Sequence, residues 1–575
     1  MLPLLVLVVL NALLVSALSP TRTVNKRQSA PPNQFVTTDG GSFIVNGSVL
    51  TFVGTNAYWL PTLNSDDDID FTLGNMSAAG IKVVRTWAFN DVETIPENGT
   101  WFQLIANGTT TINDGPNGLQ KLDTVIRLAE KHNMFVLLSL TNNWNPRPLF
   151  DNMTINASGT PIEARDVTPG TNNTLPRNTL SNDYGGMDMY VREFANNSTM
   201  HDEFYTNPTI LSHFMNYTAT IVSRYANNTS VFSWEVANDP RCNSSLPAST
   251  VCNTNTVTHF HDVISQHIKT FDPNHLVSSG NQGFLCADCP KLFPRVVPPP
   301  PQASPLANVK RRSAKPMTKK RILAERRAAL NKARSYQRRH ASPTGGLRIR
   351  GRWMATETKR QDAEDQGVGS AFDGSSGVDS EDIINVPNIN FGTFQLFPDQ
   401  DNYGFISDPS LPAFNNTVNA GLDWIRRHAE IGTLFNKPIT LTGFGLVTQS
   451  NSPAFVPFNT SVAPFGPDPT DTQATQTFGV TDEQRDDAYA QWLKAGFTAG
   501  LQGMVQYQWT QANLTTVDGT NISPTVTDTG LSPVVTEPGF SPNDGYSLQG
   551  VSDSQAQAVN VIQQAAQSIG PDPNT

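Results

Sequence analysis

Cysteine is scarce in this chain: 575 residues contain four, Cys242, Cys252, Cys286 and Cys289. That is too few for a small disulfide scaffold, and one Cys286-Ala-Asp-Cys289 repeat supplies only half of a four-cysteine zinc set. In an oxidising compartment an even count reads as two disulfides, most simply Cys242–Cys252 and Cys286–Cys289, with a redox or zinc half-site as the alternative. No metal or cofactor is expected. Long apolar runs are missing after the first residues, so no later segment is expected to cross a bilayer and no membrane partner follows. Basic charge is missing from most of the chain. Of 40 Lys and Arg, 18 fall between Lys310 and Arg360 with only 2 of the 50 acids, leaving the remainder acidic by 26 charges. An acidic main body argues against nucleic acid as a partner.

What is present points to export. Met1–Ala17 is uncharged, rich in leucine and valine, and closes on the small-x-small pattern Val15-Ser16-Ala17. It reads as a signal peptide over residues 1–17. Residues 18–27 read as a pro-segment, because the dibasic pair Lys26-Arg27 precedes Gln28. Glycosylation sequons recur at Asn46, Asn75, Asn98, Asn107, Asn152, Asn156, Asn216, Asn243, Asn459, Asn513 and elsewhere. Each match is weak alone, but their density behind a signal peptide supports a secreted, extracellular glycoprotein. A monomer is expected.

Strand-like runs of β-branched and apolar residues recur eight times: 51–54, 82–85, 135–139, 231–235, 275–279, 391–396, 439–442 and 503–506. Amphipathic segments such as 118–131, 206–225, 257–271 and 486–499 lie between them, and an eighth helix is expected within 553–569. Eight alternating units in one chain predict a (β/α)₈ TIM barrel over residues 28–575. Residues 295–367 break the rhythm with Val297-Pro298-Pro299-Pro300-Pro301 and then the basic run. They read as a disordered or loosely packed insertion between strands five and six, with helix only around 318–336. Its dibasic pairs fit a proteolytically processed loop, and its charge fits a tether for an anionic partner. A solvated insert, or a stretch foreign to the mature gene product, remains open.

A barrel builds its site at the carboxyl ends of its strands. Those ends read Arg85-Thr86-Trp87, Asn142-Asn143-Trp144, Trp234-Glu235-Val236-Ala237-Asn238-Asp239 and Tyr507-Gln508-Trp509. A single tryptophan is more often core than platform. Four at one rim, with amides beside them, suit pyranose faces and hydroxyls.

Gly54-Thr55-Asn56-Ala57-Tyr58-Trp59-Leu60, Val84-Arg85-Thr86-Trp87, Tyr184-Gly185-Gly186-Met187-Asp188 and Trp234-Glu235-Val236-Ala237-Asn238-Asp239-Pro240-Arg241-Cys242 together resemble the fungal endo-β-1,4-mannanases of glycoside hydrolase family 5. The resemblance runs from about Phe35 to the C-terminal region, apart from the insertion. It implies β-mannan or a related polysaccharide as partner, and a retaining mechanism. In that mechanism a glutamate after strand four acts as acid and base, and another after strand seven acts as nucleophile, about 5–5.5 Å apart.

The match fails at those two places. Asp239 stands at the acid/base position, a carboxyl one methylene shorter. Gly443, in Thr442-Gly443-Phe444-Gly445, stands at the nucleophile position and carries no side chain. Asp399 and Asp401 are the nearest substitutes in sequence. Gln395 and Phe397 occupy a family His-x-Tyr pattern, Gln282 a family glutamate, and Tyr507 a family tryptophan. Asn56, Arg85, Trp87, Asn142, Asn238 and Trp509 keep the family's sugar-binding identities. The sequence thus supports three readings. The first is a polysaccharide binder with lost or impaired hydrolysis. The second is an enzyme using Asp239 with a non-standard second group, and the third is a structural, wall-associated glycoprotein.

Overall fold

The computed structural model describes residues 34–145, 177–195, 199–295, 369–455, 479–523, 538–548 and 554–569, with four short strands in between. The residues 1–17 read as a signal peptide, the dibasic pair before Gln28, most of the insertion, and the sequons at Asn152, Asn156 and Asn459 lie outside the described residues. Of the insertion, only an antiparallel pair is described, Leu347–Ile349 against Arg352–Met354. The segment expected to be helical around 318–336 is also outside.

Eight parallel strands form the barrel: β1 (Phe52–Asn56), β2 (Val83–Trp87), β3 (Phe135–Ser139), β4 (Val231–Glu235), β5 (Leu276–Ser278), β6 (Gly392–Leu396), β7 (Ile439–Phe444) and β8 (Gly503–Gln506). They are hydrogen-bonded in the order β5-β4-β3-β2-β1-β8-β7-β6. A parallel bridge between Ser278 and Phe391 joins the two outer strands and brings the sheet to near closure. All eight expected strands are present, with ends moved by up to two residues. Helices pack outside: α1 (Asp66–Ala78), α2 (Leu119–Lys131), α3 (Pro208–Tyr225), α4 (Thr254–Phe271), α5 (Ser380–Ile384), α6 (Ala413–Phe435), α7 (Asp482–Ala499) and α8 (Ser554–Ser568).

Local chemistry sets several of these boundaries. The Ser65 hydroxyl accepts from the Asp68 amide at the start of α1, and three aspartates fill its positive first turn. In α7, Thr481 and Gln484 form a reciprocal capping box, and Gly500 ends the helix at φ +101°. Along α2, Leu119, Leu122, Val125, Ile126 and Ala129 recur at helical spacing and are buried.

The two ends of the barrel differ. At the amino end, a three-stranded antiparallel sheet (Thr37–Asp39, Ser42–Val45 and Ser48–Leu50) inserts Phe43 as a plug. Its ring packs 5.1 Å from those of both Phe232 and Phe391. Apolar closure of that end leaves the carboxyl end for polar side chains. Both expected disulfides form, Cys242–Cys252 and Cys286–Cys289. The first closes the loop after β4, and both sulfurs of the second lie against Gly374.

Candidate functional site

Side chains alternate along a strand, so the last inward residues of neighbouring strands meet at the carboxyl end of the barrel. Arg85, at the end of β2, organises the floor there. Its guanidinium donates to Glu235 through Nε (3.1 Å) and Nη2 (2.5 Å), to Asn56 Oδ1 (2.9 Å) and to Asn238 Oδ1 (2.7 Å). Asn238 Oδ1 also accepts from Gln395 Nε2 at 3.1 Å, and Asn238 Nδ2 donates to Asn142 Oδ1 at 2.8 Å. Asn56, Arg85, Asn142, Asn238 and Gln395 therefore form one hydrogen-bonded network from five strand ends. The buried Arg85–Glu235 ion pair satisfies both charges within it. Glu235 was not a candidate from the sequence. Its inward register two residues after Ser233, facing an arginine two strands away, is the signal that identifies it.

Asp239 lies beyond β4 with φ +53°, a left-handed conformation that aspartate adopts at lower cost than most residues. Both its oxygens have partners. Oδ2 accepts from Trp144 Nε1 at 2.8 Å, and Oδ1 accepts from Arg241 Nε at 2.8 Å. The other edge of the same guanidinium donates to Asp401 at 3.1 and 3.2 Å. Arg241 thus stands between the two carboxylates, with its plane near the Phe284 and Trp144 rings. Burial pushes the Asp239 carboxyl above its ordinary range despite Arg241 and Trp144, and Asp401 adds to the rise.

Gly443, near the end of β7, faces hydrocarbon. A Cβ on Gly443 would lie 3.1 and 3.3 Å from Phe397 Cζ and Cε2, and 3.9 Å from Gln395 Cδ. The Phe397 ring thus lies directly against Gly443. Asp401 is held in the ion triple with Arg241. Asp399 is fully buried, accepts from the Val447 amide at 3.1 Å, and is pushed up to about 8 by burial. Asp239 is a carboxylate beyond β4, and Gly443 near the end of β7 carries none.

Gln282 is buried, and its side-chain amide has no hydrogen-bond partner at either atom. A buried amide in that state costs free energy unless a ligand or water completes it. The tryptophans divide. Trp87 donates to Ser181 O at 3.1 Å, Trp144 to Asp239, and Trp509 to Gln511 Oε1 at 3.4 Å. All three belong to the carboxyl end, and each is at most 4% exposed. Trp234 does not join them. Its side chain leaves the barrel on the helix side and donates to Asp272 Oδ2 at 2.8 Å, so it is core and not platform. This corrects the expectation of four rim tryptophans: Trp234 and Glu235 are adjacent on β4 and must face opposite ways. Beside Trp509, the Tyr507 hydroxyl and Gln508 Nε2 each donate to Asp544 at 2.7 Å, and burial pushes that carboxyl up to about 6. Among the described residues, no group of His, Cys, Asp and Glu is placed to hold a metal ion.

Comparison with known proteins agrees with this architecture. Residues 33–302 match the family described as GH family 5 beta-mannosidase-like. The chain is 37% identical over 264 residues to mannan endo-1,4-beta-mannosidase F of Aspergillus clavatus, covering 45% of this chain and 50% of that protein. It is 36% identical over 252 residues to mannan endo-1,4-beta-mannosidase A of Hypocrea jecorina, covering 44% and 47%. The chain thus spans about half the length of the curated relatives it matches. Among solved structures, the endo-1,4-beta-mannanase of Rhizomucor miehei superposes with a TM-score of 0.55 at 22% identity, covering 93% of this chain and all of that one. That likeness shows the shared fold.

Proposed function

From the premise that residues 33–302 form a glycoside hydrolase family 5 mannosidase-like domain, we propose that the chain is an exported protein that recognises β-mannan or a related polysaccharide and has lost the family's double-displacement hydrolysis. One observation carries the second half: the nucleophile position is Gly443, with the Phe397 ring against it. A glycosyl-enzyme ester cannot form without a nucleophilic atom, and a single acid does not replace it. Each oxygen of Asp239 besides already accepts one hydrogen bond, from Trp144 and from Arg241. The recognition half rests on the network through Asn56, Arg85, Asn142, Asn238 and Gln395, and on the unsatisfied amide of Gln282, which sugar hydroxyls could complete.

The depth at which Trp87, Trp144 and Trp509 are buried favours a second reading, a wall-associated glycoprotein whose cleft takes no chain. The deciding experiment measures reducing ends released from β-mannan and manno-oligosaccharides by purified protein, with Asp239→Ala as control, and oligosaccharide binding by the same preparation. No release with measurable binding is expected. Release that disappears in the Asp239→Ala variant overturns the loss of hydrolysis, and neither release nor binding transfers the proposal to the second reading.

A further inference from the structure

Exposed sequons are spread over the described residues, with Asn46 on the amino-end sheet, Asn216 on α3, Asn227 before β4 and Asn415 at the start of α6, and four more lie on the side of the barrel that holds the site. Asn98 and Asn107 lie in the loop between β2 and α2, Asn243 in the loop between β4 and α4, and Asn513 in the segment after β8. All four are exposed, and all four belong to connections that leave the carboxyl ends of the strands. Asn243 is four residues beyond Asp239, and Asn513 four beyond Trp509. Asn107 and Gly108 form the two-residue turn between the strands Gln103–Ala106 and Thr109–Ile112, with φ +55° and +69°. A tight hairpin tip of this kind presents its asparagine outward.

Two other sequons are closed by the fold. The Asn521 side chain is buried, and its Nδ2 donates to Thr62 Oγ1 at 2.8 Å and to the Asn178 carbonyl at 3.2 Å. That nitrogen is the atom a glycan would occupy, and both its hydrogens are already committed inside the protein. Asn75 sits within α1 and donates through Nδ2 to Gln511 Oε1 at 3.1 Å. An N-glycan is bulky and hydrophilic, so it is compatible only with a surface position.

We infer that the folded chain carries N-linked glycans at Asn98, Asn107, Asn243 and Asn513, all on connections that leave the carboxyl ends of strands, and none at Asn75 or Asn521. Glycans there project from three different loops on the side of the barrel that holds the site.

The assignment rests on the export proposed above, and one experiment separates the two. The full chain is secreted from a eukaryotic host, released from its glycans by peptide N-glycosidase in heavy-oxygen water, and mapped by mass spectrometry. Isotope is expected at the four rim asparagines and at neither Asn75 nor Asn521. Isotope at Asn521 or Asn75 in folded protein, or its absence from the rim sites while other sequons carry it, overturns the assignment. No isotope at any sequon of the secreted protein overturns this assignment alone, whereas a chain that stays inside the host overturns the export reading. Asn243→Gln and Asn513→Gln serve as independent checks, because each should remove one glycan from the intact mass without changing the others.

Discussion

At the scale of single residues, the site keeps charge only where it is paired. Gly443 and its neighbours Gln395 and Phe397 carry no group that titrates near neutrality. A neutral set avoids an unpaired buried charge. Arg85 and Glu235 are charged, and each neutralises the other in the floor of the barrel. Breaking such a pair from one side leaves a buried ion without a partner, at a cost of about 3–5 kcal/mol. Arg85→Ala is therefore expected to lose that much in denaturant unfolding, whereas Arg85→Met combined with Glu235→Gln should recover most of it. A double variant as unstable as the single one would show that the ion pair is not the main reason for the loss. Legibility at this scale followed chemistry. That Asp239 follows β4 and Gly443 lies near the end of β7 was readable because the flanking motifs fix both to those strands. The Arg241 bridge between Asp239 and Asp401 was not, since Asp401 comes from the segment after β6, 160 residues beyond Arg241.

At the scale of elements, periodicity carried most of the fold. Buried parallel strands such as Phe135–Ser139 are continuous apolar runs, and helices such as Leu119–Lys131 keep an apolar face, so both leave a mark in one sequence. Two small antiparallel pairs were passed over. Their tips, Asn46-Gly47 and Asn107-Gly108, were read as sequons, although the same Asn-Gly pair is a strong hairpin signal. The loop after β4 gains rigidity from Cys242–Cys252, which closes a separation of ten residues next to Asp239 and Arg241. Loop-closure entropy for that length is worth about 2–3 kcal/mol. Cys242→Ala with Cys252→Ala should lower unfolding stability by about that amount and loosen the Arg241–Asp401 contact. Hydrogen exchange at residues 241–252 checks the second part, where unchanged protection would show that the ion triple holds the loop by itself.

At the scale of the whole molecule, buried carboxyl groups govern how stability responds to pH. Burial pushes Asp91 up to about 7, Asp379 up to about 6, Asp399 up to about 8 and Asp544 up to about 6. Unfolded, each would titrate near 3.9. Between about pH 4 and pH 8 the unfolded chain therefore holds fewer of these protons than the folded one, and stability falls as pH rises. Asp272 acts in the opposite sense. Although burial alone would raise it, the hydrogen bonds from His275 and Trp234 prevail and lower it to about 2. Its contribution is fully present above the unfolded value and is lost as pH falls towards 2. Opposed slopes place the maximum of stability near pH 4–5, and a Tm series from pH 3 to pH 9 should decline on both sides of it. Asp399→Asn tests the cause of the alkaline decline. It keeps an oxygen for the Val447 amide but cannot ionise, so the drop in Tm between pH 6 and pH 8 should become shallower. An unchanged slope in that variant would mean that Asp399 is already ionised in the folded chain, and that the alkaline loss has its origin in the other buried acids.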